Sequence, residues 1–270
     1  MTLDGVLLAD KPAGITSHDV VARARRALKQ RRIGHAGTLD PFATGLLLLL
    51  VGRATRTQTL MLELDKSYEV VAQLGARSTT GDPEGEVEHT GKLPAHPFEL
   101  PTGWLRQRPP AHSAVKVDGE RAYRRARRGE EVTTAERSVH VAEFTELWRR
   151  DDRAAFRIVC SSGTYVRSLV ADLGDAYCLE LRRTRIGPFE VEGAWPADGT
   201  PSPMPLEQAL ALLLPSVRLD AAAARAAGHG RAVEGPGDEP RALLLDDQGA
   251  IAIAERREGG ELKPVVVLRG

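Results

Sequence analysis

The chain has 270 residues, 42% of them hydrophobic, enough for one large domain with a core and a smaller one beside it, which sets aside disordered and fibrous readings. Lys plus Arg and Asp plus Glu both number 37, so the net charge is zero and global charge points to no polyanionic partner. No run approaches the ~20 apolar residues of a membrane helix, and MTLDGVLLADKPAG carries neither a basic n-region nor a secretory h-region; the expectation is a soluble, cytoplasmic protein with no membrane partner.

In chain order, DGVLLADKPAGITSHDVVARARRALKQ reads as a short apolar strand, a Lys-Pro-Ala-Gly turn, and a helix. Thr16 or Ser17 signals the helix start, with Asp19 in its first turn. Val20, Val21, Ala24 and Leu28 fall near helical spacing, which leaves the arginines outward. The helix leads into GHAGTLDPFATG, Gly34 to Gly45, with three glycines and an Asp-Pro step. Such a loop can simply reverse the backbone, or it can hold one carboxylate, Asp40, beside a basic surface. Leu46 to Val51 suits a buried strand or a helix segment.

KSYEVVAQLGA alternates as a strand does, and AAFRIVCSSGTYVRSLVADLGDAY reads as a strand entering a helix through Ser161 to Thr164. PMPLEQALALLLPSV is a short apolar helix ended by Pro215. From about Ser216 the pattern becomes short strands (Ala242 to Leu245, Ala250 to Ala254, Val265 to Leu268) between Gly-rich turns, which marks a small, mainly β domain. Cys160 and Cys178 show neither CxxC nor metal-ligand spacing and read as buried reduced thiols.

Charge is balanced but not evenly spread. Six basic residues and no acid lie between Val20 and Leu39, five arginines between Arg121 and Arg128, and Arg182, Arg183 and Arg185 form a third cluster. Solvated helix faces are the ordinary explanation, yet three clusters in so balanced a chain favour a polyanion-binding face. Taken singly, Asp40 could be a turn residue, Tyr68 and Leu181 core, Arg167 a surface ion pair, and Asp82 a turn former ahead of Pro83.

Order adds more. GVLLADKPAGITSHDVV, RRIGHAGTLDPFATGLLLLLVGRATR, KSYEVVAQLG, TTGDPEGEV, RPPAHSAVKVDGERAYRRARRGEEV and CSSGTYVRSLVADLG with LRRTRIGPF resemble, in that order, the motifs of the bacterial tRNA pseudouridine-55 synthase family. The resemblance covers almost the whole chain. It implies an α+β fold: a pseudouridine synthase catalytic domain over 1–215 with a central mixed, largely antiparallel sheet, a T-arm-clamping insertion at about 91–135, and a small β-barrel-like PUA domain over 216–270. A plain structural cap is the alternative for that last part.

The implied activity is isomerisation of uridine 55 in the tRNA T loop after the base is flipped out of its stack. The resemblance gives the essential aspartate to Asp40, the arginine that lowers its pKa and fixes its rotamer to Arg167, and the stacking tyrosine to Tyr68. Leu181 packs on the other side of the base, His35 among displaced T-loop nucleotides, and Asp82 near the base. Lys11 supports the active site or contacts phosphate. No metal, nucleotide or other cofactor is implied, nor a guide RNA or obligate protein partner, and the protein is expected to be a monomer. The C-terminal piece should help grip tRNA and be dispensable for folding of the rest. The chain departs from the family in a shortened insertion and in His112, where a tyrosine is usual. A non-catalytic RNA-binding protein and a guide-dependent synthase are the competing readings.

Overall fold

The computed structural model describes residues 3–110, 113, 115–117 and 119–269. His112 lies outside them.

The centre is a mixed sheet whose main path runs Met204–Pro205, Gly5–Lys11, Thr44–Val51, Ala176–Ile186, Lys66–Leu74, Arg153–Cys160, Arg137–Arg150 and Gly103–Gln107. Among the described residues every neighbouring pair is antiparallel except Thr44–Val51 with Ala176–Ile186, where Thr44 and Gly45 run parallel to Arg182 and Arg183. Ile33–Ala36 adds to Thr44–Val51, with His35 opposite Leu49.

The leucine run is a strand because both of its faces are covered, the situation in which a strand loses its apolar alternation. Leu46, Leu48 and Leu50 pack with Val6, Leu206 and Leu210 on one side. Leu47 and Leu49 pack on the other against the helix Ser17–Ala27 through Val20, Val21 and Ala24. Thr16 caps that helix: its hydroxyl accepts from Asp19 N at 3.1 Å, and its own N–H donates to the Asp19 carboxylate at 2.8 Å.

Gly103–Gln107, which falls inside the expected insertion, is the edge strand of the main sheet, paired along Arg137–Arg150. The same expected stretch also holds a separate two-stranded hairpin, Lys116–Val117 with Glu120–Arg121, and the helix Ala122–Arg127.

Beyond Pro215 lies a second sheet of Ser216–Arg218, Arg241–Asp246, Gly249–Arg256 and Leu262–Val267, with the helix Ala221–Gly228 against it. Alternation along one strand decides how this sheet is attached. Ala242 and Leu244 face its own core with Val217, Ala224 and Leu262. Leu243 and Leu245 face the other way and join Leu48, Leu206 and Leu210 in the core of the main sheet. Arg56 also donates to Val267 O at 2.6 Å, and Arg241 pairs with Glu63 at 2.9 Å. The expectation of a folding-independent tail therefore meets a shared core: removing the tail strips one wall from the main sheet.

Candidate active site

Asp40 sits in the hairpin loop between Ile33–Ala36 and Thr44–Val51, and three side chains hold that loop. The Ser17 hydroxyl donates to Leu39 O at 3.1 Å and accepts from Leu39 N at 2.9 Å. Lys11 is fully buried and donates to Pro12 O at 3.0 Å, Ile15 O at 2.7 Å and Pro41 O at 3.0 Å. Arg183, also buried, donates from Nε to Leu46 O at 2.7 Å and from Nη2 to Gly37 O at 3.0 Å, one contact on each flank of the loop. Gly45 permits this closeness. Its φ is +102°, and a Cβ there would lie 2.2 Å from the Arg183 carbonyl oxygen.

Arg167, 4% exposed, lies in the first turn of the helix Val166–Ala171. Its Nε is 3.0 Å from Asp40 Oδ2, and its Nη1 donates to Asp82 Oδ2 at 2.9 Å and to Thr80 O at 2.6 Å. Asp82 is equally buried, and its other oxygen accepts from Thr80 Oγ1 at 2.6 Å and Glu84 N at 3.0 Å. The guanidinium thus rests on Asp82 and reaches Asp40.

The electrostatic outcome for Asp40 differs from expectation. Arg167 does pull the carboxyl down, aided by Lys11 and Arg183, but burial outweighs them and Asp82 adds repulsion, so the pKa is raised. Arg167 limits a rise instead of producing a fall. The Asp40 side chain keeps 35% exposure, so the carboxylate is reachable from solvent.

Asp40 and Arg167 line a cavity of about 400 Å³ together with Tyr68, Leu181, Lys66 and Arg183. Tyr68 and Leu181 belong to neighbouring strands, with Arg183 directly opposite Tyr68. Burial pushes the Tyr68 hydroxyl pKa up, and the charge of Arg183 opposes this. Lys66 donates to Leu62 O at 2.6 Å and to Leu64 O, and burial lowers its pKa to about 8. A further wall comes from Ser161 to Tyr165. There Arg137 stacks on the Tyr165 ring at 4.8 Å, and the Gln107 side chain brackets the Tyr165 backbone at 3.0 and 2.7 Å.

Of the seven residues singled out from sequence, Asp40, Tyr68, Arg167 and Leu181 share this cavity; Lys11, His35 and Asp82 do not line it. Lys11 spends all three ammonium protons on carbonyls, which ties the Lys-Pro-Ala-Gly turn to the Asp40 loop and leaves none for a phosphate. Burial brings its pKa to about 8. Asp82 supports Arg167 from behind. His35 is half-buried in the strand leading to the loop, and its carbonyl accepts from Gln58 at 2.9 Å.

Arg183, Lys66 and Arg137 are cations of the cavity to which sequence reading gave no site role. Arg183 and Lys66 stood in quoted motifs, but of LRRTRIG only Leu181 was given a role, Arg183 being read as part of a charge cluster. Of that cluster only Arg185 is exposed: Arg182 forms a fork on Asp10 at 3.0 and 2.7 Å, and Arg183 is 1% exposed. The cluster after Arg121 is partly neutralised as well. Arg128 bonds Glu120 through both terminal nitrogens at 2.8 Å and Glu130 through Nε at 2.8 Å, while Arg125 pairs with Glu130 at 2.7 Å.

Residues 25–166 match the model of the TruB family pseudouridylate synthase N-terminal domain. The chain is 46% identical, over 99% of both lengths, to the tRNA pseudouridine synthase B of Thermobifida fusca strain YX. It is 40% identical to the protein of the same name from Leifsonia xyli subsp. xyli, covering 97% of this chain and 95% of that one. Among solved structures it resembles a chain of a Cbf5-Nop10-Gar1 complex, with TM-score 0.70, 25% identity, and 98% and 85% of the two chains covered. It has the same fold as a chain of an H/ACA RNP bound to a substrate RNA containing 2'-deoxyuridine, with TM-score 0.72, 23% identity and the same coverage. A family model spanning more than half the chain, and relatives matched over nearly their full length, lead to one conclusion: this chain belongs to the TruB family of pseudouridylate synthases.

Proposed function

We propose that the protein is a stand-alone tRNA pseudouridine synthase that converts uridine 55 of the T loop, with Asp40 as its catalytic carboxylate. The observation that carries this reading is the 3.0 Å ion pair between Asp40 and Arg167 in a cavity also lined by Tyr68 and Leu181. The curated relatives, named for tRNA, supply the substrate class; action without a guide RNA or obligate protein partner is part of the proposal. The reading extends to a cytoplasmic monomer.

The reaction exchanges the N1–C1′ bond of a uridine for a C5–C1′ bond. N1 gains a proton and C5 loses one, so the atoms balance without a co-substrate. Asp40 must be ionised to assist, either by bonding the ribose or the base or by stabilising the separated pair. Arg167 opposes the burial that would neutralise it. Tyr68 and Leu181 offer an aromatic and an aliphatic face, between which a flipped uracil can turn without losing directional bonds. Lys11 and Asp82 act one step removed, Lys11 by holding the loop and Asp82 by holding Arg167.

Residues 1–215 are read as the catalytic domain, the stretch from about 91 to 135 as the part that grips the T arm, and 216–270 as a PUA-like RNA-binding module contributing no catalytic group. The test is to incubate purified protein with unmodified tRNA transcript and map pseudouridine. A single site at position 55 is expected; modification elsewhere, or none, overturns the reading.

A further inference from the structure

Arg137 is the half-buried cation of the cavity. Among the described lining residues the other three, Arg167, Arg183 and Lys66, are 4%, 1% and 6% exposed, so Arg137 is the one placed to meet a large ligand. The sheet fixes where its guanidinium sits. Arg137 lies directly opposite Gln107 on the edge strand, and antiparallel partners share a face. Both act on Tyr165, Gln107 on its backbone at 3.0 and 2.7 Å and Arg137 on its ring at 4.8 Å. Arg137 Nη2 also donates to Gly163 O. Gly163 makes room for this: its φ is +85°, and a Cβ there would lie 3.4 Å from Arg137 Cζ and Nη1. The guanidinium is thus held against the wall that Ser161 to Tyr165 give the cavity of Asp40.

Nothing on the chain neutralises it. Glu136, its neighbour in sequence, is taken by Arg106 at 3.1 Å and Arg108 at 3.4 Å, and among the described residues Arg137 forms no ion pair. Its Nε is buried without an acceptor, and Ser113, 4% exposed on the same cavity, has a hydroxyl with no partner among the described residues. Polar groups left open in this way call for acceptors from outside the chain. We propose that Arg137 binds a phosphate of the substrate RNA next to the flipped uridine and so anchors that nucleotide over Asp40. The inference rests on the proposed pseudouridine synthase reading of the site. Of the groups a flipped uridine brings with it, ribose and uracil are neutral, and only the flanking phosphodiesters carry a charge to meet an unpaired guanidinium. The planar fork of the guanidinium matches phosphate oxygens. The phosphates take no part in the isomerisation, so the contact is the same before and after the glycosidic bond breaks and belongs to binding, not to the bond-making step.

The test measures affinity over a salt series, and single-turnover rate at saturating enzyme, with T-arm RNA hairpins carrying one uncharged methylphosphonate linkage on the 5′ or the 3′ side of the target uridine. Arg137→Gln should weaken binding of the unaltered hairpin roughly 10- to 100-fold, reduce the slope of log affinity against log salt by about 0.7–0.9, and leave the saturated rate within about threefold. One of the two neutral linkages should weaken wild-type binding by a similar factor and cost Arg137→Gln nothing further. Arg137→Lys, which keeps the charge but not the fork, should recover part of the affinity and of the slope. Wild-type binding indifferent to both linkages would overturn the proposal whether or not the Gln variant folds, and so would equal losses in wild type and variant. A slower saturated rate with unchanged affinity and slope would overturn it too, by showing that Arg137 only props Tyr165. A wild-type protein that binds the hairpin yet forms no pseudouridine would count against the function itself, a result separate from either outcome for Arg137.

Discussion

Arg167 and Asp82 form a buried ion pair, 2.9 Å between Nη1 and Oδ2 with both side chains 4% exposed, and the same guanidinium reaches Asp40 with its Nε. One cation is divided between two carboxylates. Asp82 both restrains Arg167 and raises the pKa of Asp40 by repulsion. In Asp82→Asn the restraint and the repulsion both go, so Arg167 binds Asp40 more tightly and the carboxyl becomes more acidic. We expect the acid limb of the rate profile to move to lower pH and the rate at neutral pH to fall about tenfold, on the order of 1.4 kcal/mol, with tRNA affinity unchanged. An acid limb displaced upward would contradict this.

Asp40→Asn should separate chemistry from both binding and stability. Product formation should fall by roughly four orders of magnitude or more, while tRNA affinity survives because phosphate contacts dominate it. For stability, the folded-state pKa of Asp40 is raised, so the ionised carboxylate opposes folding at neutral pH, and this penalty fades as pH falls through the raised value. Asn removes the penalty and leaves the Arg167–Asp82 pair in place. Thermal unfolding at pH 7 should therefore show a Tm equal to or above wild type. A clearly lower Tm would mean that Asp40 supports the fold.

The arginines after Arg121 are available to RNA only in part. Glu120 and Glu130 hold Arg128 and Arg125. Replacing both with Gln should tighten tRNA binding and steepen the plot of log affinity against log salt by about 0.7–0.9 for each guanidinium released to a phosphate. Filter retention over a salt series measures it, and an unchanged slope would assign these arginines to a solvated face.

The shared core predicts that the two sheets unfold together. Leu243 is fully buried, on the C-terminal sheet but in the cluster of Leu48, Leu206 and Leu210. Leu243→Ala should lower stability by about 2–5 kcal/mol and keep a single transition. A chain ended at Pro215 should aggregate or melt at much lower temperature. Two separate transitions in the wild type, or a stable truncated chain, would show that the tail is an independent unit.

Local chemistry was legible in the sequence. The Thr16 cap and Asp19, the strands at Gly5, Lys66 and Arg153, and the turn into Val166 follow from short-range rules, because caps and period-two alternation act within a few residues. The ordered motifs carried Asp40, Arg167, Tyr68 and Leu181 to one site, and the cavity holds all four. Tertiary structure decided what depends on distant partners. The run Leu46 to Val51 is a strand because helix and sheet cover it from both sides. Arg183 reads as surface charge until the parallel pairing at Gly45 buries it beside the Asp40 loop. The pKa of Asp40 rises because desolvation belongs to the packed cavity and not to any motif, and here it outweighs the pull of the arginine that the sequence could name.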